Sequence, residues 1–261
     1  MTYANVSADQ IVLFLAVFVR LLAMIALLPV FGSQNAPVQL KVIFAFALAL
    51  ILHPLVAQHG PIDFAFSVPL FALLVIKEIF VGLLIGFGAT FLFTAIQFAG
   101  RLIDIQIGFA FVQLVDPFTN TTVTTMGQLK ILVFTLFFLL INGHYFFVLA
   151  MQKSFEVIPL FGAHLPGGKL AYVLTTMVGG IFEAALKLSA PVFLTLVLTS
   201  ISMGIIARTV PQIHVFFVGF PLKIALGLGT TAIALPILAD MFKKMVNVLM
   251  QDIWKMLHLI A

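Results

Sequence analysis

The sequence predicts an all-α integral membrane protein made of several helices, some of them broken and some joined in hairpins. Hydrophobic residues make up 63% of the 261 positions and charged residues only 8%, whereas a soluble domain has about 25% charged residues. The apolar surface must therefore meet lipid or other subunits. In addition, nearly every apolar segment contains a Pro, a Gly pair or a charge, and lipid tolerates such interruptions where other protein covers the freed backbone groups. The pattern indicates one subunit of a larger helical assembly.

The charged residues are scattered rather than clustered. The formal net charge is +4, and the 13 basic residues lie singly except for Lys243 and Lys244. Nucleic-acid binding needs a clustered basic face, so no nucleic-acid partner is predicted. The first ten residues contain Asp9 and no Lys or Arg. This favours an uncut first helix over a signal peptide, which has a positive n-region.

The first predicted span runs from Ile11 to Val30 and has Arg20 near its centre. A lone Arg in the middle of a spanning helix is costly, so we expect it to face a protein partner or a water-filled cavity. A turn rich in Gly, Asn and Pro follows at residues 31–37. The next apolar segment, Val42 to Val56, is short for a span.

A longer apolar segment, Val68 to Ala99, exceeds the roughly 20 residues of one span. It contains the adjacent charges Lys77 and Glu78, which do not face each other on a helix and must find partners elsewhere. Gly82 and Gly86 have the GxxxG spacing that lets a neighbouring helix approach closely. The motif is common in apolar helices, so the sequence alone leaves open whether these glycines form a contact face.

The least membrane-like stretch lies between Gly100 and Lys130. Inside it, the apolar run from Ile105 to Val115 is broken by two Gln residues and a Gly, and it covers only about half the length of a span. A re-entrant or plug-like element is therefore predicted here. Just before this run, Arg101 and Asp104 are three residues apart and are predicted to pair on one helical face.

The second half of the chain alternates apolar segments with turn chemistry. A span candidate from Ile131 to Met151 is interrupted at Asn142-Gly143-His144, where a helix break or hairpin tip is predicted. A polar loop is predicted from Lys153 to Lys169. The segment from Leu170 to Ala207 is again too long for one simple span, and its Gly pair and its Pro are predicted bend points.

Within that segment, Glu183 and Lys187 have the favourable i,i+4 orientation for an ion pair. An apolar environment tolerates such a pair at a lower cost than either charge alone. A tight turn is predicted from Arg208 to His214, followed by a bent segment with two prolines from Val215 to Leu238. Apolar positions then recur at spacings of three and four from Phe242 to Ile260, which predicts an amphipathic helix at a membrane surface or against a partner.

Catalytic and metal-binding patterns do not emerge from the sequence, so we predict no enzyme, and we expect no cofactor and no metal. The six His residues show no metal-ligand spacing, and the chain has no GxSxG elbow or Gly-rich phosphate loop. A small-solute secondary transporter or channel subunit is the alternative, because charges within spans often mark ion or substrate paths. Against it, one chain of this length holds few spans and shows no legible inverted repeat.

The run Arg208-Thr-Val-Pro-Gln-Ile-His-Val-Phe-Phe-Val-Gly-Phe-Pro-Leu-Lys223 resembles the signature of the FliR family of flagellar export-gate proteins, which shares a fold with its counterparts in virulence type III secretion. One departure is His214, where the family often has a smaller polar residue. Further matches follow essentially the whole chain in order and spacing; they are Arg20 with Pro29-Val-Phe-Gly32, Pro37 with Lys41, Glu78 with Gly82 and Gly86, Ala99-Gly-Arg-Leu-Ile-Asp104, Gln106 with Gly108, Asp116-Pro117, Asn142-Gly143-His144, and Ser154-Phe155 with Pro159.

The resemblance implies a non-catalytic core subunit of the flagellar type III protein export gate, in the bacterial inner membrane at the flagellar basal body. FliR-like proteins assemble with FliP-like and FliQ-like subunits, which an FlhB-like subunit joins, into a helical gate for unfolded flagellar proteins. By the same resemblance, residues 1–169 are FliP-like, and residues 170–261 form a FliQ-like helical hairpin. Much of such an assembly sits raised out of the bilayer, which would explain short and broken spans.

In the family, the loop after the matched Ala-Gly motif projects into the pore as a plug. Here the loop corresponds to Gln106 to about Thr122, and an apolar constriction of this kind would resist water and ions by dewetting. The alternative is that its Phe residues pack in a subunit core. The expected plug residues are Gln106, Ile107, Gly108, Phe109, Phe111 and Val112. The expected helix and subunit contacts are Arg20, Glu78, Gly82, Gly86, Arg101, Asp104, Glu183, Lys187, Arg208, Pro211, Gln212 and Lys223.

Overall fold

Helices account for nearly all of the described chain. A computed structural model describes residues 8–28, 37–57, 68–109, 124–163, 168–212 and 214–261. Within these ranges there is no strand, and the elements are α1 (Ala8–Leu27), α2 (Val38–Val56), α3 (Val68–Ile107), α4 (Thr125–Leu140), α5 (Gly143–Val157), α6 (Gly168–Thr209) and α7 (Val215–Ile260). In an apolar medium the backbone has no water to bond, so a helix is the local structure that satisfies its N–H and C=O groups.

Five of the described helices are long and apolar enough to cross a membrane, namely α1, α2, α3, α6 and α7. Helices α4 and α5 would add a sixth crossing if the pair is one broken span, because they meet at an angle of 66° across a short break. The prediction of an all-α, multi-helix membrane protein is confirmed.

The break between α4 and α5 occurs at the predicted Asn-Gly-His sequence. Asn142 has a left-handed backbone with φ of 55°, a conformation that Asn adopts more readily than most residues. The N–H of Ile141 closes α4 by donating to the carbonyl of Phe137 at 2.9 Å. The predicted turn after Arg208 is also confirmed, since α6 ends at Thr209 and α7 begins at Val215.

One predicted boundary in the second half was wrong. The loop predicted from Lys153 begins later, because α5 continues to Val157. α6 is one helix of 42 residues through Gly179, Gly180 and Pro191. α7 is one helix of 46 residues through Pro221 and Pro236, so the amphipathic C-terminal stretch is its last part and not a separate element. In apolar surroundings, ending a helix would leave backbone N–H and C=O groups unpaired, which favours a helix that continues past these residues.

The chain divides into two compact units. The first consists of Met1–Phe91, Asn142–Met177 and Val248–Ala261. In it, α1 and α2 pack through aromatic rings, with the centroids of Phe14 and Phe46 5.3 Å apart. The end of α7 packs its apolar side inward, since a Cβ at Gly88 would lie 3.0 Å from Ile253 and Ile253 is fully buried. The amphipathic stretch thus covers its own chain.

The second unit consists of Leu92–Ile141 and Val178–Asn247. Its core joins the end of α3, the start of α4 and the middle of α6; the buried members are Ile103, Ile107, Met126, Val192 and Leu196, and Phe109 and Ile224 pack against them. A second contact within this unit joins α4 to α7, where the rings of Phe134 and Phe242 have centroids 5.0 Å apart.

Candidate functional site

The last helical turn of α3 leads into the segment expected to form the plug. Gly108 takes a left-handed conformation with φ of 103°, which glycine adopts without a steric penalty, and its N–H donates to the carbonyl of Asp104 at 3.0 Å. The Nζ of Lys223 on α7 donates to the carbonyl of Gln106 at 3.3 Å. A cation at a helix C-terminus satisfies an orphan carbonyl and complements the helix dipole. α3 therefore ends on a capped and anchored turn.

Two of the expected plug residues are held inside the second unit. The Nε2 of Gln106 lies 3.4 Å from the hydroxyl oxygen of Ser200 on α6 and donates to it. Ile107 is only 1% exposed and belongs to the buried core of this unit. A Cβ at Gly227 on α7 would lie 2.9 Å from the Ile107 side chain, so the two helices are close at this point. The structure places Ile107 in a core and not at an exposed loop tip.

The other expected plug residues begin at Phe109. Its ring packs edge-on against Phe220 of α7, with the centroids 5.9 Å apart. This contact agrees with the core-packing alternative for Phe109 in the isolated chain. Phe111 and Val112 lie outside the described residues, as does the Asp116-Pro117 turn.

Asp104 does not pair with Arg101 as predicted. Arg101 is exposed and forms no ion pair among the described residues, while Asp104 is buried. The carboxylate of Asp104 instead accepts the backbone N–H of Met126 at 3.0 Å and, through its other oxygen, that of Gly127 at 3.4 Å. These are free N–H groups in the first turn of α4, where an acceptor is needed and a negative charge is favoured. A buried helix start therefore outweighs an exposed local ion pair.

A pair of glycines lies next to this capping contact. A Cβ at Gly100 on α3 would overlap the backbone of Gly127 on α4, so the two helices meet backbone to backbone at this point. A Cβ at Gly127 would in turn overlap the side chain of Thr124. The contact brings the start of α4 within reach of the Asp104 carboxylate. In the sequence, only Gly100 of the Ala-Gly motif indicated this contact between α3 and α4.

In the first unit, Arg20 and Glu78 come together. The Nε of Arg20 lies 2.5 Å from Oε2 of Glu78, and both side chains are buried. Nη1 of Arg20 donates to the carbonyls of Ser154 at 3.1 Å and Ile158 at 3.0 Å. The second oxygen of Glu78 accepts the N–H of Phe161 at 2.7 Å. One ion pair thus joins α1 and α3 to the end of α5 and the turn that follows it.

The GxxxG pair on α3 lies directly behind this ion pair. A Cβ at Gly82 would overlap the carbonyl oxygen of Arg20 and lie 3.0 Å from the Cβ of Ala23. One turn on, a Cβ at Gly86 would lie 2.8 Å from the carbonyl oxygen of Met24. The motif therefore serves as a close contact between α3 and α1.

The remaining expected contact residues lie on the surface of the isolated chain. Glu183 and Lys187 form an ion pair of 2.5 Å with side chains 68% and 60% exposed, in the middle of a helix that is otherwise apolar. Arg208, Pro211 and Gln212 are exposed at the turn between α6 and α7.

Sequence reasoning missed one buried charge. Lys130 on α4 is 2% exposed, and its Nζ donates to the carbonyl of Leu188 on α6 at 2.8 Å. Leu188 lies next to Lys187, whose carbonyl has no intrahelical donor because Pro191, four residues later, lacks an N–H. The signal available in the sequence was a single Lys in the first two turns of an apolar helix.

No group of three or more His, Asp or Glu residues that could hold a metal ion occurs in the described part of the chain.

The chain is similar to known proteins over most of its length. The model of bacterial export proteins, family 1, matches residues 11–249.

Three relatives all bear the name flagellar biosynthetic protein FliR. The protein of Bacillus subtilis is 32% identical over 98% of this chain and 99% of its own length. That of Escherichia coli is 28% identical over 88% of each chain. That of Caulobacter vibrioides is 30% identical over 89% of this chain and 92% of its own length. The described helices, the predicted motifs and these similarities agree, and the chain belongs to family 1 of the bacterial export proteins, the family that includes flagellar biosynthetic protein FliR.

Proposed function

We propose that the chain is a core subunit of the flagellar type III protein export gate in the bacterial inner membrane, and that it acts in translocation without catalysis. The observation that carries this proposal is the similarity to FliR over 98% of the chain, together with five helices able to cross a membrane. Exported flagellar proteins would pass through the channel unfolded. The energy for export would come from elsewhere in the machine.

The partners in this proposal are FliP-like and FliQ-like subunits that form the channel wall, with an FlhB-like subunit beside them. Residues 1–169 would correspond to the FliP-like part and residues 170–261 to the FliQ-like hairpin. The large exposed apolar surface of α6 supports subunit contacts, because Leu194, Leu198, Ile201 and Ile205 repeat on one side of the helix at spacings of three and four and are more than half exposed. The exposed ion pair of Glu183 and Lys187 lies on the same helix, and lipid would leave it poorly solvated.

The segment from Gln106 to about Thr122 would act as the plug of this channel. The anchoring of Gln106 and Ile107 supports two different roles within this segment. Residues up to Phe109 would be the fixed root, and residues beyond Phe109 would close the pore. An apolar plug in a narrow pore excludes water, and ions then do not follow.

Purification in mild detergent, with mass spectrometry of the proteins that accompany the tagged chain, tests the class of function. Recovery of FliP-like and FliQ-like subunits is expected. A chain that purifies alone or as a homo-oligomer, and that moves a small solute in proteoliposomes, would instead support a secondary transporter. A clean deletion of the gene should abolish flagella and the secretion of flagellar proteins, and normal motility would contradict the proposal.

Shortening the loop tests the plug. Removal of Gly108 to Val112 would also remove the cap of α3, so a deletion of residues 113–117 is the sharper variant. It leaves the fixed root in place. The expected result is a rise in ion conductance of the closed gate with normal recovery of the complex. An unchanged conductance would favour the core-packing alternative.

A further inference from the structure

The last turns of α7 have an apolar side and a polar side. Four apolar side chains are buried in this stretch, namely Ile253, Met256, Leu257 and Ile260. Three polar side chains at helical spacings of four and three are exposed, namely Gln251, Lys255 and His258. The apolar side is covered by the same chain, and the exposed side carries a charge, which hydrocarbon solvates poorly. The outer side of this stretch therefore requires a polar environment.

The single tryptophan of the chain lies where these two sides meet. Trp254 is half-buried, and the Nζ of Lys153 on α5 lies 4.9 Å from the centre of its ring. A cation above an indole is attracted by the negative face of the ring. Among the described residues, the indole N–H of Trp254 has no hydrogen-bond partner and Lys153 forms no ion pair. Both groups therefore keep hydrogen-bond donors for a partner outside the chain.

The length of α7 does not determine its depth in a bilayer. Its 46 residues span about 69 Å, whereas the hydrocarbon core is about 30 Å thick. The depth of such a helix is set by anchoring side chains, and Trp and Lys are residue types that occupy the boundary between hydrocarbon and headgroups. Lys153 and Trp254 bring these two types together. Lys255 is less suited to this role, because its Nζ is paired with Asp252 at 2.9 Å.

A phospholipid headgroup fits the pair of Lys153 and Trp254. Its phosphate is negatively charged and accepts hydrogen bonds from both an ammonium group and an indole N–H. A carboxylate on another subunit would also accept from the ammonium group. The indole favours the lipid, because an amphipathic ring at the border of an apolar helix prefers the layer where hydrocarbon meets headgroups.

We propose that Lys153 and Trp254 form a phospholipid headgroup site that fixes the depth of the ends of α5 and α7 in the bilayer. The ammonium group of Lys153 binds the phosphate, and the indole N–H of Trp254 donates to an oxygen of the same headgroup. The site requires membrane-spanning helices and no particular activity, so it is tested separately from the export role.

Fluorescence quenching of Trp254 tests the position of this pair. The full chain, with any subunits that purify with it, is placed in nanodiscs whose phospholipids carry a nitroxide near the headgroup or near the methyl end of an acyl chain. The signal of Trp254 is the difference between the wild type and Trp254→Phe, which removes the contribution of tryptophans in other subunits. Stronger quenching by the nitroxide near the headgroup is expected.

Two results of this measurement would overturn the proposal. Stronger quenching by the nitroxide near the methyl end would place the indole in the hydrocarbon core. Quenching by neither nitroxide would mean that protein covers the indole, and the partner of Lys153 and Trp254 would then be another subunit.

A titration in micelles tests the phosphate contact. The chain is held in a maltoside detergent, which has no phosphate, and phosphatidylglycerol with a nitroxide near its headgroup is added. Lys153→Gln is expected to lower the affinity of this lipid for the Trp254 site about fivefold, the effect of one cation near an anionic lipid. Lys243→Gln is the matched control, because Lys243 is another exposed lysine but lies outside the site, and its affinity should equal that of the wild type. Equal losses in the two variants, or no loss in Lys153→Gln, would overturn the phosphate contact.

Lys153→Arg is the second variant where Lys153→Gln lowers recovery of the chain. It keeps a cation that can lie above an indole and bind a phosphate. The affinity for phosphatidylglycerol should therefore stay near the wild-type value. An Arg variant that binds the lipid as weakly as the Gln variant would overturn the role of the positive charge at this position.

Discussion

The Nε of Arg20 lies 2.5 Å from Oε2 of Glu78, although the two residues are 58 positions apart and lie on different helices. Both side chains are buried, and the guanidinium also lies 4.3 Å above the ring of Phe155. The charge in the middle of α1 therefore has its counter-charge within its own chain.

Breaking this pair should be costly. Arg20→Met or Glu78→Gln leaves one buried charge without its counterpart, which should lower the free energy of unfolding by about 3–5 kcal/mol. The double variant should lose less than the sum of the two single changes, because neither charge is left alone. The free energy of unfolding, measured by SDS titration in detergent micelles, checks this.

The matched control for that prediction is an exposed ion pair. Lys244 and Asp240 lie 2.8 Å apart with side chains 74% and 63% exposed. Asp240→Asn should change stability by about 1 kcal/mol or less, since exposed pairs contribute little. Equal losses in the buried and exposed variants would show that burial of Arg20 and Glu78 does not matter.

Gly82→Ala should destabilise the protein although alanine is the better helix former. The added methyl group would overlap the carbonyl oxygen of Arg20, and overpacking of this kind costs about 1–3 kcal/mol. Gly180→Ala is the control, because a Cβ at Gly180 meets nothing within 4 Å. It should raise helix stability by up to about 1 kcal/mol. A melting temperature for Gly82→Ala at or above the wild-type value would contradict the close contact.

Lys130→Met should leave the protein as stable as the wild type or make it more stable. Burial of an ammonium group costs several kcal/mol, whereas one hydrogen bond to the Leu188 carbonyl returns about 1.5–3 kcal/mol. Met fills a similar volume without the charge. Lys130→Glu should be strongly destabilising at the same place. A Met variant that unfolds as easily as the Glu variant would contradict a net cost of burying the ammonium group.

Glu183→Lys and Lys187→Glu separate stability from assembly. Both side chains are largely exposed in the isolated chain, so either reversal should hardly change its melting temperature. In the proposed gate each reversal should lower recovery of the partner subunits, because two like charges then face the apolar contact surface of α6. The double reversal restores opposite charges and should recover part of the loss. Normal recovery in both single variants would remove this pair from the subunit contacts.

Turn chemistry predicted the helix ends that depend on local sequence. Asn142 supplied a left-handed backbone at the break between α4 and α5, and the Val-Pro-Gln sequence after Thr209 ended α6. The end of α5 could not be found in this way. Lys153 and Ser154 look like loop residues. However, the Ser154 hydroxyl donates to the carbonyl of Met151 in its own helix at 2.7 Å, and the Ser154 carbonyl accepts a hydrogen bond from Arg20.

The site depends on contacts between distant residues, which one sequence does not reveal. The spacing of Arg101 and Asp104 satisfied a local pairing rule, yet Asp104 bonds to a helix start 22 positions away. Glu78 was known to need a partner, but nothing in the spacing identified Arg20. The sequence gives no sign that Lys130 is buried, because a single Lys near a helix start is usually solvated. In each case the missing information was which helices are neighbours.

The separation of Arg20 from its partners has a consequence for the order of events during synthesis. At about 5–20 residues per second, Glu78 follows Arg20 out of the ribosome after roughly 3 to 12 seconds, and the Ser154 carbonyl after roughly 7 to 27 seconds. During the first interval the guanidinium cannot yet pair with the carboxylate of Glu78. The newly made α1 must wait where water or lipid headgroups can solvate that charge, and it can settle at its final depth only when α3 arrives.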